Sequence, residues 1–134
     1  MPAADALDTL QQRVDAIEGG YEFLLAYAAQ GLATDEGSAN SEQLRTYLRR
    51  MDEGIAGLEA AFRAVLAGTE AGESAGDFLE VLSRDATAAR AAIRVVTTRP
   101  GVSSQLVDNL NASIHLRALL TDLFLLDEAV KGLK

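Results

Sequence analysis

Apolar side chains return every three or four residues in four separate runs of this chain, and that spacing constrains the fold more than any other feature. The first run is Leu7, Leu10, Val14, Ile17, Tyr21, Leu24 and Ala28. The second is Leu44, Leu48, Met51, Ile55, Leu58, Phe62 and Val65, and the third is Ala75, Leu79, Leu82, Ala86, Ala89, Ile93 and Val96. A fourth, richer run fills the stretch from Ser103 to Lys131. Such spacing places one apolar stripe along a helix, whereas a half-buried strand would alternate residue by residue. No segment shows that alternation.

Helix-ending and helix-starting residues separate the runs. Gly31 and Gly68 suit the left-handed residue that closes a helix, and Pro100-Gly101 is a turn dipeptide. Asn40 or Ser41 is positioned to cap the second helix and Ser103 or Ser104 the fourth, while Ser74 with Asp77 forms a loose capping box for the third. The expected helices therefore cover about 4–30, 41–67, 75–98 and 103–131. Each is about 40 Å long at 1.5 Å per residue. Long helices joined by short loops predict an all-α fold, an antiparallel up-down-up-down four-helix bundle, as one domain over residues 1–134.

Two adjacent glycines, Gly19 and Gly20, lie inside the first run. Each costs a helix interior roughly 1 kcal/mol relative to alanine, so the pair marks a kink or a place where something comes close. Folding the four runs back on one another brings Gly19 level with Glu53 and Gly54, Gly54 with Ala88, and Ala88 with Ser113. Small residues then gather at one height, a waist across the bundle. Close backbone approach is the leading reading of that waist. The alternative is a mid-bundle ligand pocket near Gly19, Gly20 and Gly54, lined by Tyr21, Met51, Ser113 and Arg117.

The fourth run carries more apolar surface than one core-facing stripe can use, since Leu116, Leu119, Leu120, Leu123, Phe124, Leu125 and Leu126 point in too many directions. Phe78 and Val81 accompany it from the third helix. Surplus of this kind marks an interface, and Phe78, Val81, Leu119, Leu123 and Leu126 are the residues expected to form it, in a two-fold homodimer or with another protein.

The chemistry available is narrow. The net charge of -8 opposes binding to nucleic acid or an anionic membrane surface. Cysteine is absent, which removes disulfides, thiolate nucleophiles and cysteine-ligated metals. The one histidine, His115, has Ala112 at i−3, so the paired Glu-x-x-His motifs of di-iron bundles cannot be assembled. A carboxylate site for magnesium or calcium from Glu18, Glu22, Asp52 and Glu53 is conceivable, but acidic clusters are ordinarily solvated faces. His115 shares a polar stripe with Asp108, Asn111 and Asp122. Arg90 and Arg94, like charges one turn apart, call for partners such as Asp15 and Glu18. Arg117 needs a partner if its face is buried. No phosphate-binding loop or nucleophile elbow is present.

No catalytic, cofactor-binding or metal-binding residues are assigned, and no cofactor is expected. The residues read best as a non-enzymatic helical module acting by protein–protein contact, as an accessory, scaffold or regulatory component that is homodimeric. The alternative is a small-molecule-binding bundle using the waist. With no signal-like N-terminal segment and no apolar run near the roughly 20 residues that span a bilayer, the expected location is the cytoplasm.

Overall fold

The computed structural model describes residues 4–132. Among them are seven α-helices and no strand: α1 (Ala4–Ala29), α2 (Ser41–Ala56), α3 (Leu58–Leu66), α4 (Glu70–Ser74), α5 (Gly76–Thr97), α6 (Ser104–Ala112) and α7 (Ile114–Lys131). The all-helical class is as expected. The count differs from four for three local reasons. The second expected helix is divided at Gly57 into α2 and α3, and the fourth at Ser113 into α6 and α7. The loop expected before the third helix winds into the short α4, whose Thr69 hydroxyl accepts from the Gly72 amide.

The helix ends show which sequence signals were used. Gly31 and Gly68 both take positive φ, 66° and 75°, where an L side chain would be strained. Ser103 caps α6, its hydroxyl accepting from the Leu106 amide at 3.0 Å. The Ser74–Asp77 box does not form. Ser74 instead donates to the Ala71 carbonyl, because α4 takes up the chain ahead of α5. Asn40 stands at the N-terminus of α2 without a side-chain cap bond.

α1 continues straight through the glycine pair. It lies against α2, α3 and α6, and α5 lies against α2, α7, α3 and α6. The α1–α2 crossing is tight. A Cβ placed on Gly20 would stand 3.2 Å from Met51 Cβ and 3.3 Å from its Sδ. One on Gly54 would stand 3.2 Å from Ile17 Cγ1 and 3.3 Å from the Arg13 carbonyl oxygen. Moving down α1 from Gly20 to Arg13 moves up α2 from Met51 to Gly54, so these two helices run in opposite directions. Gly19 is the exception, with nothing within 4 Å of an added Cβ. The pair therefore splits: Gly20 makes room for Met51, and Gly19 faces away.

The core is almost wholly aliphatic. Leu10, Val14, Ile17 and Leu24 of α1 meet Leu44, Leu48, Met51 and Ile55 of α2, with Phe62 of α3 and Leu82 and Ile93 of α5 in the same cluster. Tyr27 and Phe62 are the largest side chains fully enclosed. Phe23 stacks on Tyr47 with ring centroids 4.6 Å apart and interplanar angle 19°, fastening the upper part of α1 to α2.

The contrast between the two glycines gives a paired test by thermal or denaturant unfolding. Gly20→Leu, which drives a branched side chain into Met51, lowers stability by about 1–3 kcal/mol, several degrees in midpoint. Gly19→Ala fills open space in a helix and raises stability by about 0.5–1 kcal/mol.

Candidate functional site

Three groups of side chains carry chemistry beyond apolar packing. The first is a polar knot where the 30–40 loop meets the 98–103 loop. Asp35 is 1% exposed. Its Oδ1 accepts from the Val102 amide at 2.8 Å and from Arg45 Nη2 at 3.2 Å, and its Oδ2 from the Ser41 hydroxyl at 2.9 Å and Arg45 Nε at 3.1 Å. The same guanidinium donates to the carbonyl of Thr97, the last residue of α5, and to those of Arg99 and Pro100 in the loop after it. The Thr97 carbonyl is one of the orphan acceptors at a helix C-terminus, and a cation there also complements the helix dipole. Beside them, the Tyr27 hydroxyl donates to the Val102 carbonyl at 2.6 Å. Ser104 donates to the Tyr27 carbonyl and accepts from the Leu32 amide.

Burial pushes the Asp35 carboxyl up, but the Val102 amide, Arg45 and Ser41 outweigh it and hold the group below its ordinary value. Burial and the neighbouring Asp35 charge push the Tyr27 hydroxyl up. Every oxygen of the carboxylate is matched, and the arrangement is that of a fastening between distant segments.

The second group lies in α7. Asp122 is 5% exposed, and its Oδ2 has no hydrogen-bond partner. Burial first, then the Asp85 carboxyl of α5 as hydrogen-bond partner and like charge, raises it to about 7. In α6, Asn111 is also buried, and neither atom of its amide has a partner. The polar stripe expected to carry His115, Asp108, Asn111 and Asp122 into solvent is thus divided. Ser113 adopts extended backbone and restarts the helix, its hydroxyl accepting from the Leu116 amide. Asn111 and Asp122 then turn inward, while Asp108 and His115 stay exposed.

The third group surrounds Arg13. Its Nη1 donates to the Glu53 carbonyl at 3.0 Å, an acceptor freed where α2 gives way to α3. A methyl group on Gly57 would overlap this guanidinium. Open grooves flank it, one of about 260 Å³ bounded by Thr9, Ala16, Arg50 and Gly54, the other of about 320 Å³ bounded by Ala6, Gly57, Ala60 and Ala64. Gly57 makes room for this docked arginine.

The residues expected to line a waist pocket are not brought together. Met51 is fully buried and fills the space over Gly20. Tyr21 is half-buried at the edge of the core. Ser113 caps α7, and Arg117 is exposed. The condition under which Arg117 required a buried partner is therefore not met.

The expected interface residues are likewise redistributed. Leu119, Leu123 and Leu126 lie in the chain's own core, because the break at Ser113 re-phases α7 and points them inward. Phe78 and Val81 are half-buried. The large apolar side chains of α7 left exposed are Ile114, Phe124 and Leu125. Arg90 pairs with Asp52 of α2 at 2.9 Å, not with a carboxylate of α1, since α5 lies against α2. Glu18 is raised by partial burial, then by Asp127 and Asp15, with Lys131 opposing. No group of three or more metal-ligating side chains is assembled among the described residues. None of their helices is long and apolar enough to cross a membrane.

No family model matches this chain, and neither a curated protein nor a solved structure resembles it.

Two of the residues described above gave different warning in the sequence. Asp122 interrupts Leu119, Leu120, Leu123 and Leu126, and an acid inside a leucine run is a readable anomaly. Asp35 sits in LATDEGSANS, where nothing distinguishes it from a solvated loop acid.

The knot gives a stability test. Asp35→Ala leaves the Val102 amide without its acceptor and Arg45 with only its carbonyl partners, and lowers unfolding free energy by about 1–3 kcal/mol, measured in denaturant at pH 7. Because the folded-state value is depressed, this contribution is fully present above the unfolded value near 3.9 and fades as pH falls through the folded one. Below about pH 4 the wild type therefore loses stability more steeply than Asp35→Ala.

Proposed function

We propose that this chain is a non-enzymatic helical module that acts by protein–protein contact, associating first with a second copy of itself. On this reading α1, α2–α3, α5 and α6–α7 are the four rods of an antiparallel up-down-up-down bundle. The opposed directions of α1 and α2 at Gly20 and Met51 support that topology, as does the pairing of Arg90 with Asp52.

The observation that carries the functional reading is the outer face of α7. Ile114 is 75% exposed, Leu125 58% and Phe124 49%. Ile114 and Leu125 lie about three helical turns apart and so point nearly the same way, with Thr121 exposed between them. Single exposed apolar side chains are ordinary on a protein surface; Ile114 and Leu125 on one line of α7, with Phe124 about 100° round the helix beside Leu125, form a surface suited to contact. A second copy supplies the same face through a two-fold axis, the commonest closed arrangement. The negative charge of the chain directs any further association towards proteins and away from nucleic acid or anionic lipid. The packing of Met51 against Gly20 favours close approach at the waist over a ligand space there.

Gel filtration with light scattering reads the oligomeric state directly. The expected mass at micromolar concentration is about twice the 14.2 kDa of one chain. The double substitution Phe124→Glu with Leu125→Glu returns it to one chain while leaving the helical circular dichroism signal intact. A wild-type mass of one chain throughout the micromolar range overturns the reading.

A further inference from the structure

Asp122 is enclosed by α7 and the helices against it, and those helices provide no cation for it. α7 lies against α5, α6 and α3. From α5, the charged group that bears on Asp122 is Asp85, itself half-buried and within hydrogen-bonding reach. Arg90 of α5 is held by Asp52 on α2, and Glu80, Arg84 and Arg94 are exposed. From α3, Arg63 is paired with Glu59. From α6, Asp108 is exposed. On α7 itself, Lys131 is paired with Asp127, and His115, Arg117 and Glu128 are exposed.

Two carboxyl groups in contact among leucines are stable together only while at least one keeps its proton. The protonated group donates a hydrogen bond to the other, and a single negative charge is left to accommodate. With both ionised, two like charges face each other against an apolar seam, and the buried Oδ2 of Asp122 has no donor. The seam also has little besides apolar packing on either side of the pair: Leu119, Leu123 and Leu126 of α7, and Leu79, Leu82 and Ala86 of α5, all belong to the core. The break at Ser113 makes α7 a helix separate from α6.

We propose that the Asp85–Asp122 pair is a proton-operated latch: while the two carboxyls hold a proton between them α7 is seated on α5, and its release to solvent loosens α7 from the rest of the chain. The direction follows from which state is favoured by the fold. The native state carries a proton that the unfolded chain gives up at much lower pH. Stability from the pair is therefore greatest on the acid side and is lost as pH rises through neutrality. Loosening uncovers Leu119, Leu123 and Leu126, which the seated helix hides.

The test is residue-resolved amide hydrogen exchange on the full chain at pH 6 and pH 8, corrected for intrinsic exchange, with thermal midpoints in the same buffers. Protection of α7 is expected to fall by about tenfold or more between the two pH values, while α1 and α2 change far less. The midpoint is expected to fall by roughly 5 °C. Asp122→Asn keeps a hydrogen-bond donor towards Asp85 at every pH and is expected to abolish both changes. If Asp122→Asn does not fold, Asp85→Asn supplies the donor from α5 and is expected to flatten the same profile. Unchanged α7 protection and midpoint in the wild type overturn the latch. So does a pH profile that persists in the folded asparagine variants. Carboxyl-carbon NMR titration of the wild type is a further check, and the absence of an aspartate titrating near neutrality overturns the proposal independently of any variant.

Discussion

The burial of one carboxylate, Asp35, sets the terms for the upper half of this molecule. An isolated ionised acid cannot be withdrawn from water without a cost of several kcal/mol. Here the cost is met by an arginine and a hydroxyl of α2 and by a backbone amide from the loop before α6, two distant parts of the chain. Because those donors are on different segments, satisfying the charge fixes where the segments lie. Arg45 carries the same constraint onward to the last carbonyl of α5 and to two in the loop after it. Apolar packing alone would let the helices slide by a residue or two. The knot admits one register.

Below that level the structure is governed by size more than by charge. Gly20 admits Met51, and Gly54 admits Ile17 and the Arg13 carbonyl, so α1 and α2 approach as closely as side chains allow. Arg13 then reaches the Glu53 carbonyl at the α2–α3 junction, satisfying an acceptor that a continuous helix would have bonded internally. A run of glycines that reads as a weakness in the isolated helix becomes, in the packed chain, the condition for two of its closest contacts.

Much of this was legible in the residues. The three- and four-residue spacing located the helical segments, and Gly31 and Gly68 marked two ends through the backbone conformation they adopt. The break at Gly57 was not legible from spacing, because the apolar pattern passes through it: Leu58 follows Ile55 by three. At Ser113 the buried apolar positions skip from Leu110 to Leu116, six residues apart, and the phase of the core-facing stripe changes. At Ser113 the available signal was the serine itself, a capping residue within an apparent helix. Read as one continuous helix, this stretch places Leu119, Leu123 and Leu126 on the surface and Asn111 and Asp122 in water, the reverse of their positions. The partners of Asp35 were beyond reach for a different reason. They are separated from it by 6, 10 and 67 residues, and no local pattern encodes the longest of these.

Those separations also bear on the order in which the molecule assembles. Ser41 and Arg45 reach Asp35 as soon as α1 and α2 pair, since only a short loop must close. The Val102 amide arrives after a far longer stretch of chain has been gathered in, and loop-closure entropy grows with that length. Until then the carboxylate has a cation but lacks its backbone donor, and Tyr27 and Ser104 lack each other. The contacts within the helical hairpin are thus local in sequence, and the joining of the two loops closes the longest stretch of chain of any bond to Asp35.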